Sequence, residues 1–488
     1  MVSINRRAWL QGAAALALTR SAWADKGPGA PANAQELPRA RPPVGARHFT
    51  SEAVETTIRQ VQKRIPDEPL STIFENCFPN TLDTTVFPGS HDGKPDTYVV
   101  TGDIDAMWLR DSSAQVMPYL SLAKQDSRLR ELLEGVIRRQ ARMILIDAYA
   151  NAFMRDASAA PLPWAVNDKT KHYPGVGERK WEVDSLCYPI RLAYGYWQHT
   201  GDTGPFDAQW NEAAWTIVRT FRTQQRKQDH GPYSFQRAAE TPTDTLALDG
   251  FGNPAIPVGM IFSMFRPSDD ACTYPLFVPA NLFALVSLRQ LATLAKQVLK
   301  DASLGQEAQA LAAEVETAVQ RYGKTQHAQY GEIWAYEVDG YGNVLKMDDA
   351  NAPGLLSLPY LGCCGLDDPI YRRTRQFVQS EANPYFFRGR AAEGVGGPHM
   401  GLNMIWPMSI IMRALTSNDD AEIRQCLRWL RNTTAGTGFM HESFQKDDPK
   451  IFSRPWFAWA NTLFGELTMR LASERPHVFA ADNSYWTS

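Results

Sequence analysis

The sequence predicts an all-α protein: a toroid of helical hairpins whose long loops line a pocket, with one short β-hairpin. Three observations carry this expectation. Apolar residues recur at three- and four-residue spacings along most of the chain. The connectors between those segments are long and rich in Pro, Gly, Trp and Asp. No linker and no repeat of fixed period interrupts residues 50–475, so a single domain is expected there.

The elements follow in chain order. Residues 1–24 read as an export signal of the twin-arginine type. Arg6-Arg7 precedes the mild apolar run of residues 12–18, and Ala22-Trp23-Ala24 supplies small residues for cleavage. Residues 25–49, rich in Pro, Gly and Ala, read as a disordered linker. Helices are expected over 132–154, 208–226, 281–300, 305–321, 401–416, 420–432 and 456–472. The first gathers Leu132, Leu133, Val136, Ile137, Ala141, Ile144 and Leu145 on one face. The stretch 305–321 is alanine-rich and has strong helix propensity. Residues 332–347 alternate and contain Asp339-Gly340 and Gly342-Asn343, which predicts the hairpin. Residues 476–488 are assigned to a C-terminal tail. No segment beyond the signal has 18 unbroken apolar residues, so no membrane contact is expected after its removal. A periplasmic or secreted protein is the expected outcome.

Composition narrows the function. Of 488 residues, 44% are hydrophobic and 21% charged, which supplies a large core and excludes a disordered chain. The net charge of −3 offers no basic excess for nucleic acid or an anionic membrane. The six cysteines form no C-x-x-C pair, so zinc and thioredoxin-like readings are weak, and adjacent Cys363-Cys364 read as buried thiols, with a vicinal disulfide as the alternative. Aromatic residues make up 11%, which suits stacking on sugar rings as well as a large core.

Four connectors concentrate acids, aromatics and arginines. The first runs from Thr101 to Asp111 and holds Asp103, Asp105, Trp108, Arg110 and Asp111, with a helix start expected at Asp111 or Ser112. The second is Trp181-Glu182-Val183-Asp184-Ser185. The third is Arg266-Pro267-Ser268-Asp269-Asp270-Ala271-Cys272, ahead of a helix expected near Pro279. The fourth is Met440-His441-Glu442-Ser443-Phe444, followed by Arg454-Pro455-Trp456-Phe457-Ala458-Trp459. Adjacent carboxylates beside an arginine experience different environments, so one can hold a proton while the other stays ionised. Separate acids in aromatic loops fit glycoside hydrolysis, which needs one acid for the leaving oxygen and a second carboxylate for water or the anomeric carbon. There is no G-x-S-x-G elbow, P-loop or H-E-x-x-H motif. His399 and His441 are expected to hydrogen-bond a ligand rather than a metal. Asp348, Asp349 and Asn351 offer oxygens of the kind calcium takes, a weaker reading than the hydrolytic one.

These motifs resemble glycoside hydrolase family 125. The resemblance rests on GDIDAMWLRDSSAQ, WEVDSLCYP, RPSDDAC, the stretch from EVDGYGN to LPYLG, and HESF followed by RPWFAWANTLFGEL. It spans about residues 50–475. The family's first motif usually has Pro where Asp105 stands. The resemblance implies an (α/α)6 toroid and an exo-acting, inverting α-1,6-mannosidase that needs no metal or other cofactor. It implies that Glu442 is the general base and that the Asp269-Asp270 pair supplies the general acid, with Asp269 preferred. Arg110 and Asp111 match residues that grip the terminal mannose. Asp103, Trp108, Glu182, Asp184, Arg266, His399, His441 and Arg454 are expected in or behind the pocket. The alternatives are another exo-α-glycosidase, glucoamylase-like on the same toroid, and a non-catalytic periplasmic glycan-binding protein.

Overall fold

Helix starts in this protein are of two kinds. Helices 52–62, 68–77, 127–146, 208–224, 302–322, 369–378 and 420–432 begin behind Ser51, Asp67, Asp126, Asp207, Asp301, Asp368 and Asp419, whose side chains accept hydrogen bonds from first-turn amides. Such caps satisfy amides that a helix leaves unpaired, each worth about 1 kcal/mol. Helices 109–116, 183–200, 278–294, 407–415 and 458–474 have no such cap. They begin behind Trp108, Glu182, Phe277, Trp406 and Phe457. Three of those five cap positions line one pocket, described below. The computed structural model describes residues 37–239, 241–480 and 485–486. The export signal assigned to 1–24 lies outside the described residues.

The uncapped helices pack on one another in succession: 109–116 on 183–200, 183–200 on 278–294, and 407–415 on 458–474, which returns to 109–116. Capped helices lie against them, 302–322 on 278–294, 420–432 on 407–415 and 68–77 on 458–474. Burial follows this division. Every residue of 109–116 is buried, whereas 420–432 buries only Ile423, Cys426, Leu427 and Leu430, one amphipathic stripe. Helix 278–294, with its continuation to Leu299, is apolar and long enough to cross a membrane, yet most of it is buried among other helices. One apolar core runs from Phe49 to Trp486.

Short strands fix where three uncapped helices begin. Met107–Trp108 pairs with Ala152–Phe153, Leu276–Phe277 with Glu337–Val338, and Met404–Ile405 with Phe444–Gln445, all antiparallel. Each first-named pair precedes one of those helices, so the ladder anchors the helix N-terminus in place of a side-chain cap. A longer hairpin, Val86–His91 with Lys94–Val99, turns at Asp92-Gly93, both at positive φ.

Several expectations need correction. The helix placed at 132–154 runs over Ser127–Ile146, because Asp126 caps it and Asp147 adopts extended backbone. The helix placed at 401–416 begins only at Pro407. The hairpin placed at 332–347 divides: Gly331–Trp334 pairs back with Lys324–His327, and only Glu337–Val338 with Val344–Leu345 forms the expected turn. Asp339 closes that turn by accepting from the amides of Tyr341 and Asn343. Asp111 is not a cap; its helix starts at Leu109 and its carboxylate meets Arg110. Residues 37–49 of the assigned linker are tied down, with Arg41 bridging Glu55 and Asp83 and Phe49 buried. Of the residues assigned to the tail, Val478, Phe479 and Trp486 are buried.

Candidate active site

Glycine sets the first wall. Gly102 has φ +64°, and a Cβ there would stand 2.9 Å from Arg454 Nη2. The tight turn lets Arg454 reach the carbonyl of Thr101 (3.2 Å) and the carboxylate of Asp103. Arg454 also lies 3.5 Å from Glu442 Oε1 and over the ring of Phe457. Ser453 donates to Glu442 Oε2 at 2.9 Å. Glu442 is thus held on both oxygens. His441, just before it, is fully buried, stacks on Phe452 and shares Nδ1 with the carbonyl of Arg454 at 2.9 Å. Burial lowers the His441 pKa, favouring the neutral ring.

Arg110 organises the opposite wall. Its guanidinium donates to Asp111 (2.6 Å), Glu182 (3.3 Å) and Asp269 (3.2 Å), with Asp184 at 3.4 Å from Nε. Four carboxyl groups therefore face one guanidinium, which cannot neutralise them all. Burial raises Glu182 well above the usual carboxylate range, and Arg110 only partly opposes this. Burial likewise pushes Asp184 up to about 7. The cluster is one that retains protons near neutral pH.

Asp269 is positioned by its backbone. It sits at φ +66° in a turn where its amide donates to the carbonyl of Arg266 and the Arg266 amide donates to that of Asp270. A non-glycine residue in this region costs on the order of 1–3 kcal/mol, which the surrounding contacts must offset. Asn151 touches its carboxylate at 3.4 Å. Asp270, next in sequence, turns away toward His399 (3.5 Å), and its Oδ2 is buried with no hydrogen-bond partner among the described residues.

Both walls meet in one small pocket. Trp108, Arg110, Asp111, Asp269, His399, Glu442 and Arg454 line it, so seven of the expected residues converge there. Glu182 and Asp184 lie behind the pocket on Arg110, Asp103 lies on Arg454, and His441 lies under Glu442. Arg266 does not reach the lining; its side chain is buried against Glu337 at 2.6 Å. Sequence reasoning missed Asn351, Trp406, Phe457 and Trp459 in the lining, and Asn151, Lys180 and Ser453 behind it. Phe457 and Trp459 stood within a motif already singled out, and their aromatic density was the available signal. Asp348 accepts from the amides of Leu355 and Leu356, and Asp349 from Asn351, and among the described residues they join no group of three or more acidic, His or Cys side chains placed to hold a metal. A wider groove elsewhere, beside Arg375, Arg413 and Trp429, has its arginines paired with Glu393 and Glu422.

The raised Asp184 has a measurable consequence. Between its unfolded pKa of about 3.9 and about 7, the folded protein holds a proton that the unfolded chain lacks. The stability from this group is full below that window and declines as pH rises through it. Glu182 contributes with the same sign. Asp184→Asn should therefore gain stability relative to the parent as pH increases from 4.5 to 7.5, measured by urea unfolding. A difference that stays constant across that range contradicts the reading.

Three carboxyl groups, two guanidinium groups and four aromatic rings around a small pocket are the equipment of a glycoside hydrolase. The chain belongs to glycoside hydrolase family 125, the metal-independent α-mannosidases, whose family model matches residues 67–469. It is 42% identical over 464 residues to the meiotically up-regulated gene 157 protein of Schizosaccharomyces pombe, covering 92% of this chain and 91% of that one. It is 40% identical to a metal-independent α-mannosidase of Streptococcus pneumoniae whose structure is a non-productive complex with α-1,6-mannobiose. That match has a TM-score of 0.84 and covers 88% of this chain and 100% of the other. The protein is a glycoside hydrolase, and the glucoamylase-like and non-catalytic alternatives give way to the α-mannosidase family.

Proposed function

We propose that the protein is an exo-acting, inverting α-1,6-mannosidase that removes terminal non-reducing mannose from α-mannosides. The observation that carries this is the placement of Asp269 and Glu442, from distant loops, on one small pocket. Glu442 is the general base: Arg454 and Ser453 hold its two oxygens at the pocket wall, where it can take a proton from water. Asp269 is the general acid. It faces the pocket, whereas Asp270 does not line it, and it shares the Arg110 guanidinium with Glu182 and Asp184. Arg110 and Asp111 hold the terminal sugar. An inverting reaction needs the two carboxyl groups about 6.5–9.5 Å apart, with water between base and sugar.

A small pocket favours cleavage at a chain end over cleavage within a chain. The α-1,6 linkage is supported by the mannobiose in the 40% identical relative. The packing of uncapped helices on one another, 109–116 on 183–200, 183–200 on 278–294, and 407–415 and 109–116 on 458–474, supports an (α/α)6 toroid over residues 50–475. Mannose release from α-1,6-, α-1,3- and α-1,2-mannobiose tests the assignment. Release from the α-1,6 isomer is expected, and its absence overturns the reading.

The leader adds a place of action. Arg6-Arg7 and the mild apolar run direct the chain through the twin-arginine route, residues 1–24 are removed, and the enzyme works in the periplasm or outside the cell. Replacing Arg6 and Arg7 together by Lys should leave the protein uncleaved in the cytoplasm. Unchanged export of mature enzyme contradicts it.

A further inference from the structure

Lys180 is a lysine with no exposed surface. Burying an ammonium is unfavourable unless oxygens surround it. Here its Nζ donates to the backbone carbonyl of Asp269 at 2.7 Å and to Asp244 Oδ1 at 2.9 Å, over the ring of Phe265. The other end of the same residue is also engaged. The Lys180 amide donates to Asn151 Oδ1 at 3.0 Å, and Asn151 Nδ2 reaches the Asp269 carboxylate at 3.4 Å and Glu178 Oε2 at 3.0 Å. A third tie comes from the loop that carries Asp244: the carbonyl of Thr243 accepts from the Ala271 amide at 2.7 Å. Lys180 is thus joined to both the carbonyl and the carboxylate of Asp269, the residue whose φ of +66° needs outside support.

We propose that Lys180 is a positioning residue: its ammonium clamps the Asp269 carbonyl so that the strained backbone aims the carboxyl group at the leaving oxygen. This rests on the general-acid reading of Asp269. Lys180 does not line the pocket, so it acts through Asp269 and not on the sugar. A lysine whose only role is to fill the core would serve equally well as methionine. A clamp would not, because methionine cannot donate to a carbonyl.

The test compares Lys180→Met with the parent on α-1,6-mannobiose, whose leaving group needs a proton, and on 2,4-dinitrophenyl α-mannoside, whose leaving group does not. A displaced acid should lower kcat on mannobiose about 100-fold, with KM little changed and a far smaller loss on the activated mannoside. Lys180→Gln retains a donor and should recover part of the rate; it carries the same comparison if Lys180→Met does not fold. Equal losses on both substrates, a change confined to KM, or parental rates overturn the proposal. A crystal structure of the variant separates this from the functional reading. Asp269 is expected to leave positive φ, and an unmoved Asp269 overturns the clamp even if the parent proves to hydrolyse no mannoside.

Discussion

Glu442→Gln is expected to slow hydrolysis of every mannoside by about 10²- to 10⁴-fold, the range for loss of a general base. Each substrate still needs an activated water, so a better leaving group brings no rescue. Asp269→Asn should show the opposite pattern. It should lose a comparable factor on α-1,6-mannobiose but keep most of its rate on a dinitrophenyl mannoside, which departs without a proton. Asp270→Asn should retain more activity on mannobiose than Asp269→Asn, because Asp270 lies against His399 and does not line the pocket. Near-parental turnover of mannobiose by Glu442→Gln, or a leaving-group effect in Asp270→Asn rather than Asp269→Asn, contradicts the assignment.

Arg110→Met carries the second large effect, and it is on folding. The guanidinium is buried among Asp111, Glu182, Asp184 and Asp269. Removing it leaves those acids without their cation, and breaking a buried ion pair costs about 3–5 kcal/mol. Protonation can relieve part of this, so the loss should be smaller at pH 5 than at pH 8. Urea unfolding at both values measures it. A variant as stable as the parent at pH 8 means that the cluster is balanced by something other than Arg110.

Local signals were the legible part of the fold. The helices at 208–224, 302–322 and 420–432 announce themselves by an Asp cap followed by an apolar stripe. The hairpin at 86–99 carries a legible turn signal in Asp92-Gly93. Helix 183–200 was not separated from its motif, because it is buried on most sides, contains Pro189, and so has no clean amphipathic period. Three of the uncapped helices begin where ladders between distant segments end, and such pairings leave no local trace.

The site was legible as residue types but not as a network. Acid- and aromatic-rich loops marked Asp269 and Glu442, while the convergence of Glu182 and Asp269 on Arg110, from three connectors, exists only in the folded chain. Asn151 sits in an ordinary loop, and Lys180 stands beside the Trp181-Glu182 motif, where a single lysine reads as surface.

The central claim is that Glu442 activates water on the face of the sugar opposite Asp269. Following α-1,6-mannobiose hydrolysis by ¹H NMR in its first minutes tests this most directly, because the anomer formed first records the direction of attack before mutarotation. The account predicts β-mannose as the first product. Initial α-mannose would mean retention through a covalent intermediate and would contradict it.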